Sequence, residues 1–253
     1  MAIWVAIVLG LVQGLTEFIP VSSSGHLLMM QRFFGIDDAP LLFDIILHVA
    51  TLCAVIIVLR KKIWQLIKKP LCKTNYCLVI ATAITCSMVL IANHFGWTDA
   101  MRNYKILPFT FLVTAIMLFV ITMLPKQNDD VKYKTGIVAG IAQGIAIIPG
   151  ISRSGATISA SLATGVKREE AAEFAFLMSI PIIIASLVFE LISSPGAIAT
   201  ISFWPLLFGF VFALVSGIFA IKIMLRIVKN VKLYWFSLYL VILSIVLMFV
   251  FYL

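Results

Sequence analysis

Five residues of this chain combine side-chain types and spacings that suit chemistry: Gln13, Glu17, Ser23, His26 and Arg153. Gln13 and Glu17 stand one helical turn apart, so a carboxamide and a carboxylate face the same way and could hold a divalent cation such as Mg2+ or Ca2+. Ser23, in VSSSGH, offers a hydroxyl nucleophile, and His26 a proton carrier or, alternatively, the nucleophile itself. Arg153 lies in PGISRSGAT, where the start of a half-helix brings backbone amides beside a guanidinium, a combination that suits phosphate. Ser152, Ser154 and Gly155, with Ser24 from the earlier motif, are the accompanying phosphate-binding candidates. Residues 150–157 also fit G-x-x-x-x-G-x-T, but Ala156 replaces the lysine of a nucleotide-binding phosphate loop and no strand precedes it.

Each residue also has a purely structural reading. Glu17 could pair with Arg153 to hold two segments together, Ser23 could cap a helix, and His26 could be a hydrogen-bonded packing residue. Taken together the structural readings weaken, because several different polar groups beside an arginine are costly to bury as packing.

The two motifs are copies of one another. Shifted by 130 residues, Gly10, Gln13, Gly14, Ser22, Ser24 and Gly25 fall on Gly140, Gln143, Gly144, Ser152, Ser154 and Gly155. Shared positions are expected to build a turn, with glycine allowing tight backbone and serine capping the next half-helix. Positions that differ are free for chemistry, and these are Glu17, Ser23 and His26 against Ile147, Arg153 and Ala156. If the two tips meet, one pocket holds a carboxylate, a hydroxyl, an imidazole and a guanidinium.

The elements that position these residues must lie in a bilayer. Of 253 residues 62% are hydrophobic and 12% charged, against roughly 45 to 50% and 25% in a soluble domain. A mean hydropathy of +1.13 agrees. So few charged side chains cannot cover a soluble globule of this size, which excludes a soluble enzyme, a nucleic-acid binder and a disordered chain. Runs at 41–60, 76–92, 106–124, 171–192, 203–225 and 232–253 are predicted to span, each near the roughly 20 residues that a bilayer core requires. Segments 1–30 and 136–164 are apolar but broken by glycine, proline and serine, and read as re-entrant: irregular backbone at membrane depth persists only where protein or water satisfies it. The N-terminal stretch lacks a basic flank and a small-residue cleavage site, and is expected to belong to the mature fold.

The basic residues orient this arrangement. The loop carrying Arg60, Lys61, Lys62, Lys68, Lys69 and Lys73 should be cytoplasmic. Threading the spans from it places Lys126, Lys132, Lys134, Lys167, Arg168, Lys222, Arg226, Lys229 and Lys232 on the same side, and only Arg32, Arg102 and Lys105 opposite. The net charge of +8 therefore reads as a topology signal rather than a binding surface. The expected fold is an all-α integral membrane protein of two repeats, 1–130 and 131–253, each a re-entrant segment plus three spans, and three being odd the second is inverted. Cys53, Cys72, Cys77 and Cys86 show no metal-binding spacing and read as reduced structural thiols. Asp44 and His48, one turn apart, read as a satisfied intramembrane pair; KREEAAEF at 167–174 reads as an inner helix start and Glu190 as an outer helix end.

The motifs QGLTEFIPVSSSGH and PGISRSGAT closely resemble those of the undecaprenyl-pyrophosphate phosphatases, the bacitracin-resistance family, over essentially the whole chain. The resemblance implies removal of the terminal phosphate of a C55 isoprenoid diphosphate at the bacterial plasma membrane, recycling the lipid carrier of cell-wall synthesis with a divalent cation. It implies that Gln13 and Glu17 form the acidic motif, Ser23 is the candidate nucleophile, His26 the histidine and Arg153 the phosphate-binding arginine. The family admits Glu or Gln at the first acidic position, and this chain has Gln13. The expected partners are the polyprenyl diphosphate and membrane lipids, without nucleic acid; a homodimer is left open. From the residues alone, a transporter or flippase for an anionic lipid is the rival reading.

Overall fold

The computed structural model describes residues 1–36, 41–97, 103–124, 128–193, 202–230 and 233–252. They form α1 (Ile3–Phe18), α2 (Ser23–Phe33), α3 (Leu41–Lys68), α4 (Lys73–His94), a 3-10 turn (Tyr104–Ile106), α5 (Leu107–Thr122), α6 (Tyr133–Ile145), α7 (Arg153–Ala163), α8 (Arg168–Ser193), α9 (Phe203–Asn230) and α10 (Tyr234–Tyr252). Among the described residues six helices are long and apolar enough to cross a membrane, in the order expected from the sequence. Several outrun the apolar runs: α3 continues through Lys61, Lys62 and Trp64 to Lys68, because lysine, glutamine and leucine remain good helix formers past the hydrocarbon boundary.

The two interrupted segments are helix pairs. α1 has 16 residues, about 24 Å and short of a full crossing, and a tight turn leads from it into α2. α6 and α7 repeat the plan. α1 lies along α9 and α6 along α4; α9 packs on α3 and α4 on α8; α5 pairs with α10. Small residues allow the closest of these contacts. A Cβ on Gly10 would stand 2.5 Å from the Gly209 carbonyl, and one on Gly14 2.3 Å from that of Ala213; on the other pair, Gly140 would meet Ala81 at 2.8 Å. Such small-residue faces are how membrane helices gain close van der Waals packing.

Outward faces are apolar. On α5, Phe109, Val113, Ile116 and Val120 recur at helical spacing and are about half exposed, while Phe111, Thr114, Ala115 and Leu118 are buried. An oily outer stripe opposite a packed inner one is what lipid solvation permits and water does not. Inside, Phe18 meets Phe176 edge-on at 5.5 Å between centroids.

The loops sort by charge. At one end Lys62 pairs with Glu173 at 3.1 Å, Lys132 with Asp129 at 2.6 Å, Lys167 with Asp130 at 2.9 Å, and Lys229 with Glu169. The hydrogen bond and charge of Lys167 hold the Asp130 carboxyl below the usual carboxylate range. Four of the basic loops expected to be cytoplasmic thus meet. At the other end Arg32 covers the Tyr104 ring and Tyr252 donates to the Lys105 carbonyl. Lys126, Lys232 and Arg102, and the side chain of Glu190, lie outside the described residues. All four cysteines carry free thiols, and Cys77 is buried.

Candidate active site

The tips of the two helix pairs meet in the interior. Ser22 caps α2 by accepting from the Gly25 amide at 3.4 Å, and Ser152 caps α7 by accepting from the Gly155 amide at 3.1 Å. Each capping serine also meets the serine two positions on, Ser22 with Ser24 and Ser152 with Ser154, both at 3.3 Å. The matched serines therefore build matched caps. Thr114 of α5 fixes the second tip, donating to the Gly150 carbonyl at 2.9 Å and accepting from the Ser152 amide at 3.1 Å. Ser154 donates across to the Ile19 carbonyl at 3.3 Å.

The tips differ in backbone. At the second, the left-handed residue is Gly150, with φ of +91°. At the first it is Ser22, the only described non-glycine residue with positive φ, at +70°. A side chain in that region costs energy, and such strain gathers at functional turns. Here it lies directly before Ser23.

Glu17 is the hub. It is only 7% exposed, and its Oε2 accepts from Ser23 Oγ at 2.5 Å and from Gln13 Nε2 at 3.1 Å. Its Oε1 lies 3.5 Å from an Arg153 nitrogen. Gln13 Nε2 also donates to His48 Nδ1 at 3.1 Å, which puts the imidazole proton on Nε2. The carboxamide cannot turn around without facing its oxygen toward the carboxylate, so the network fixes it. Two buried polar atoms in this cluster lack partners: Gln13 Oε1 and Arg153 Nη1. An orphaned acceptor and an orphaned donor beside a carboxylate leave room for one more polar species.

Ser23, Ser24, Arg153 and His48 line a cavity of about 210 Å³, with Thr85, Gln143 and Ser186 as further polar groups and Val89, Ala146, Ile147, Ile151 and Ile182 as apolar wall. Glu17 stands behind Ser23 and Arg153. His48 lies about 10 Å along α3 from the end opposite the basic loops and about 30 Å from the basic end. The cavity thus occupies the half of the protein remote from those loops.

Of the residues singled out in the sequence, Gln13, Glu17, Ser23 and Arg153 come together and Ser24 joins the wall. His26 does not. It is 5% exposed; its Nδ1 donates to the Ser22 carbonyl and its Nε2 accepts from the Tyr239 hydroxyl, each at 2.8 Å. Its ring stacks on Tyr239 and meets Phe111 edge-on. Ser152 Oγ and the Gly155 amide are committed to the cap, while Ser154 lines a small recess with Glu17 and Arg153. Asp44 and His48 do not pair with each other. Asp44 accepts from Gln31 at 3.0 Å and His48 turns to Gln13: a turn of helix separates them along α3, and each has a nearer partner on another helix. His48 is the site residue that the sequence pattern missed, since only the packing of α3 beside α1 brings it to Gln13.

For a divalent cation, the described residues offer the Glu17 carboxylate and Gln13 Oε1. No group of three or more His, Cys, Asp or Glu gathers among them. Two oxygen donors with the balance from substrate and water is the habit of Mg2+, which seldom occupies an all-protein cage, so the donor set fits.

Fold and site define the class: a multi-pass, all-helical membrane protein with a carboxylate, hydroxyl and guanidinium clustered within its span. Residues 6–246 match the family described as bacitracin resistance protein BacA, and the chain belongs to that family. It is 41% identical to the undecaprenyl-diphosphatase of Treponema denticola over 95% of this chain and 94% of that protein. The undecaprenyl-diphosphatase of Carboxydothermus hydrogenoformans is 40% identical over 95% and 94%, and that of Borrelia recurrentis 38% over 93% and 94%.

Proposed function

We propose that this protein is an undecaprenyl-diphosphatase of the bacterial cytoplasmic membrane, cleaving undecaprenyl diphosphate to undecaprenyl phosphate and inorganic phosphate and so returning the lipid carrier to cell-wall synthesis. The observation that carries this reading is the short hydrogen bond from Ser23 to buried Glu17, beside an arginine with a free donor, at a cavity lined by both polar and apolar side chains.

Ser23 Oγ attacks the terminal phosphorus while Glu17 takes its proton. The phosphorus–oxygen bond to the lipid phosphate breaks, and the departing group leaves as an anion. Water then cleaves the phosphoserine, and the proton held on Glu17 returns to Oγ. Arg153 turns its free nitrogen to the transferring phosphoryl group, whose charge grows on oxygens that need fixed donors. His48 and Gln13 hold Glu17 in place. A divalent cation at Glu17 and Gln13 Oε1 would neutralise phosphate charge when bound. The apolar wall receives the first isoprene units. His26, tied to Ser22 and Tyr239, orients the strained turn that presents Ser23, and the two helix pairs form an inverted repeat, a reading supported by the exchange of packing partners between halves.

Phosphate release from undecaprenyl diphosphate by the purified protein in detergent tests the function. No gradient exists there, so a transporter gives no phosphate above background, whereas the phosphatase turns over.

A further inference from the structure

The inner face carries cations that its carboxylates do not reach. Glu173, Asp129, Asp130, Glu170 and Glu169 are all engaged, by Lys62, Lys132, Lys167 and Lys229. Among the described residues no carboxylate pairs with Arg60, Lys61 or Lys222. These three line one groove of about 350 Å³, together with Ile57 and Val58, where α3 packs against α9.

Their depth is as telling as their charge. On α3 the largely apolar stretch before Arg60 runs from 42 to 59; on α9 the charge-free, largely apolar stretch before Lys222 runs from 203 to 221. Each is about 27 to 29 Å long, close to the roughly 30 Å of a bilayer's hydrocarbon core. Arg60, Lys61 and Lys222 therefore stand where that core ends and lipid phosphates begin. A cation that served only as a topology signal could lie anywhere within about 15 to 20 residues of the span's end. These converge from two helices on one groove at phosphate level, above an apolar floor that matches the first methylenes of an acyl chain.

We propose that this groove is a binding site for an anionic phospholipid of the inner leaflet, with its phosphate between Arg60, Lys61 and Lys222 and its glycerol end over Ile57 and Val58. The site is separate from the catalytic cavity, which lies in the opposite half, and does not depend on the reaction assigned there.

Native mass spectrometry of the detergent-purified protein tests it, with phosphatidylglycerol and phosphatidylcholine of equal chain length as probes. The wild type should retain phosphatidylglycerol in preference to phosphatidylcholine, and excess inorganic phosphate should not displace it. Combined Arg60→Gln, Lys61→Gln and Lys222→Gln should lower the phosphatidylglycerol-bound fraction at least about tenfold while leaving phosphate release from the lipid diphosphate unchanged. Lys134→Gln, which removes an inner cation outside the groove, should leave lipid retention as it was. If the triple variant is not recovered folded, Lys222→Gln alone and the charge-keeping set Arg60→Lys, Lys61→Arg and Lys222→Arg give the contrast, the first losing lipid and the second keeping it. Equal retention of the two lipids by the wild type, or undiminished phosphatidylglycerol on the glutamine variants, would overturn the proposal.

Discussion

Ser22, Ser23 and Ser24 are neighbours with three different surroundings, and substitution should separate them. Ser22 caps α2 from a left-handed backbone. Ser22→Ala loses the cap and keeps the strain, at a cost of about 1 kcal/mol, whereas Ser22→Gly also loses the cap but relieves the strain and should be nearly neutral; thermal unfolding of the two variants in detergent compares them, and both should retain turnover. Ser23→Ala should fold as well as the wild type yet lose about three orders of magnitude or more in rate, the scale of a missing nucleophile. Arg153→Lys keeps the charge but loses the planar fork, so phosphate release should fall steeply even though the cation remains; turnover near the wild-type rate would return Arg153 to a structural role. His48→Ala leaves one of the two Gln13 amide hydrogens without its acceptor, the other still bonding Glu17, and should slow turnover about tenfold, the value of one lost buried hydrogen bond, with His48→Gln recovering part of it. Glu17, Ser23 and Arg153 could be read from the sequence because a duplicated motif isolates the positions at which the copies diverge. His48 could not: it is one polar residue in an apolar span, with Asp44 a turn away as an obvious partner, and nothing in a linear sequence says that α1 passes beside it.

At the scale of elements, the glycines carry the fold. α1 approaches α9, and α6 approaches α4, closely enough that a side chain at Gly14 or Gly140 would strike the facing backbone. Gly140→Val should therefore lower the yield of folded protein and its thermal midpoint severely, through overpacking at a helix contact, while Gly35→Ala, with nothing within 4 Å of the added methyl, should cost only the strain of its positive φ. The spans themselves were legible from hydropathy, since the bilayer imposes one length and one composition on them. Their inner ends were not, because α3 and α9 run on as helix past their first cations and hydropathy stops counting there. Short apolar segments with Gly, Pro and Ser pointed to broken helices, and the structure has a helix pair at each.

For the whole molecule, four basic loops meet at one end and the proposed catalytic cavity lies toward the other. Impermeant thiol labelling of single cysteines, in a chain stripped of its own four, should modify position 103 from outside and spare position 68; the reverse result would contradict the topology. The proposed reaction rests on a single relay, in which helix tips from two halves of the chain meet so that Ser23 would pass its proton to Glu17 and take up a phosphoryl group in front of Arg153. Rapid quenching of the purified protein mixed with undecaprenyl diphosphate labelled in its terminal phosphate measures that relay directly. Label should become covalently attached to the wild-type chain within the first turnover and be absent from Ser23→Ala. Label on Ser23→Ala at the wild-type level, or phosphate release by that variant at an undiminished rate, would contradict the account and move the nucleophile to another group.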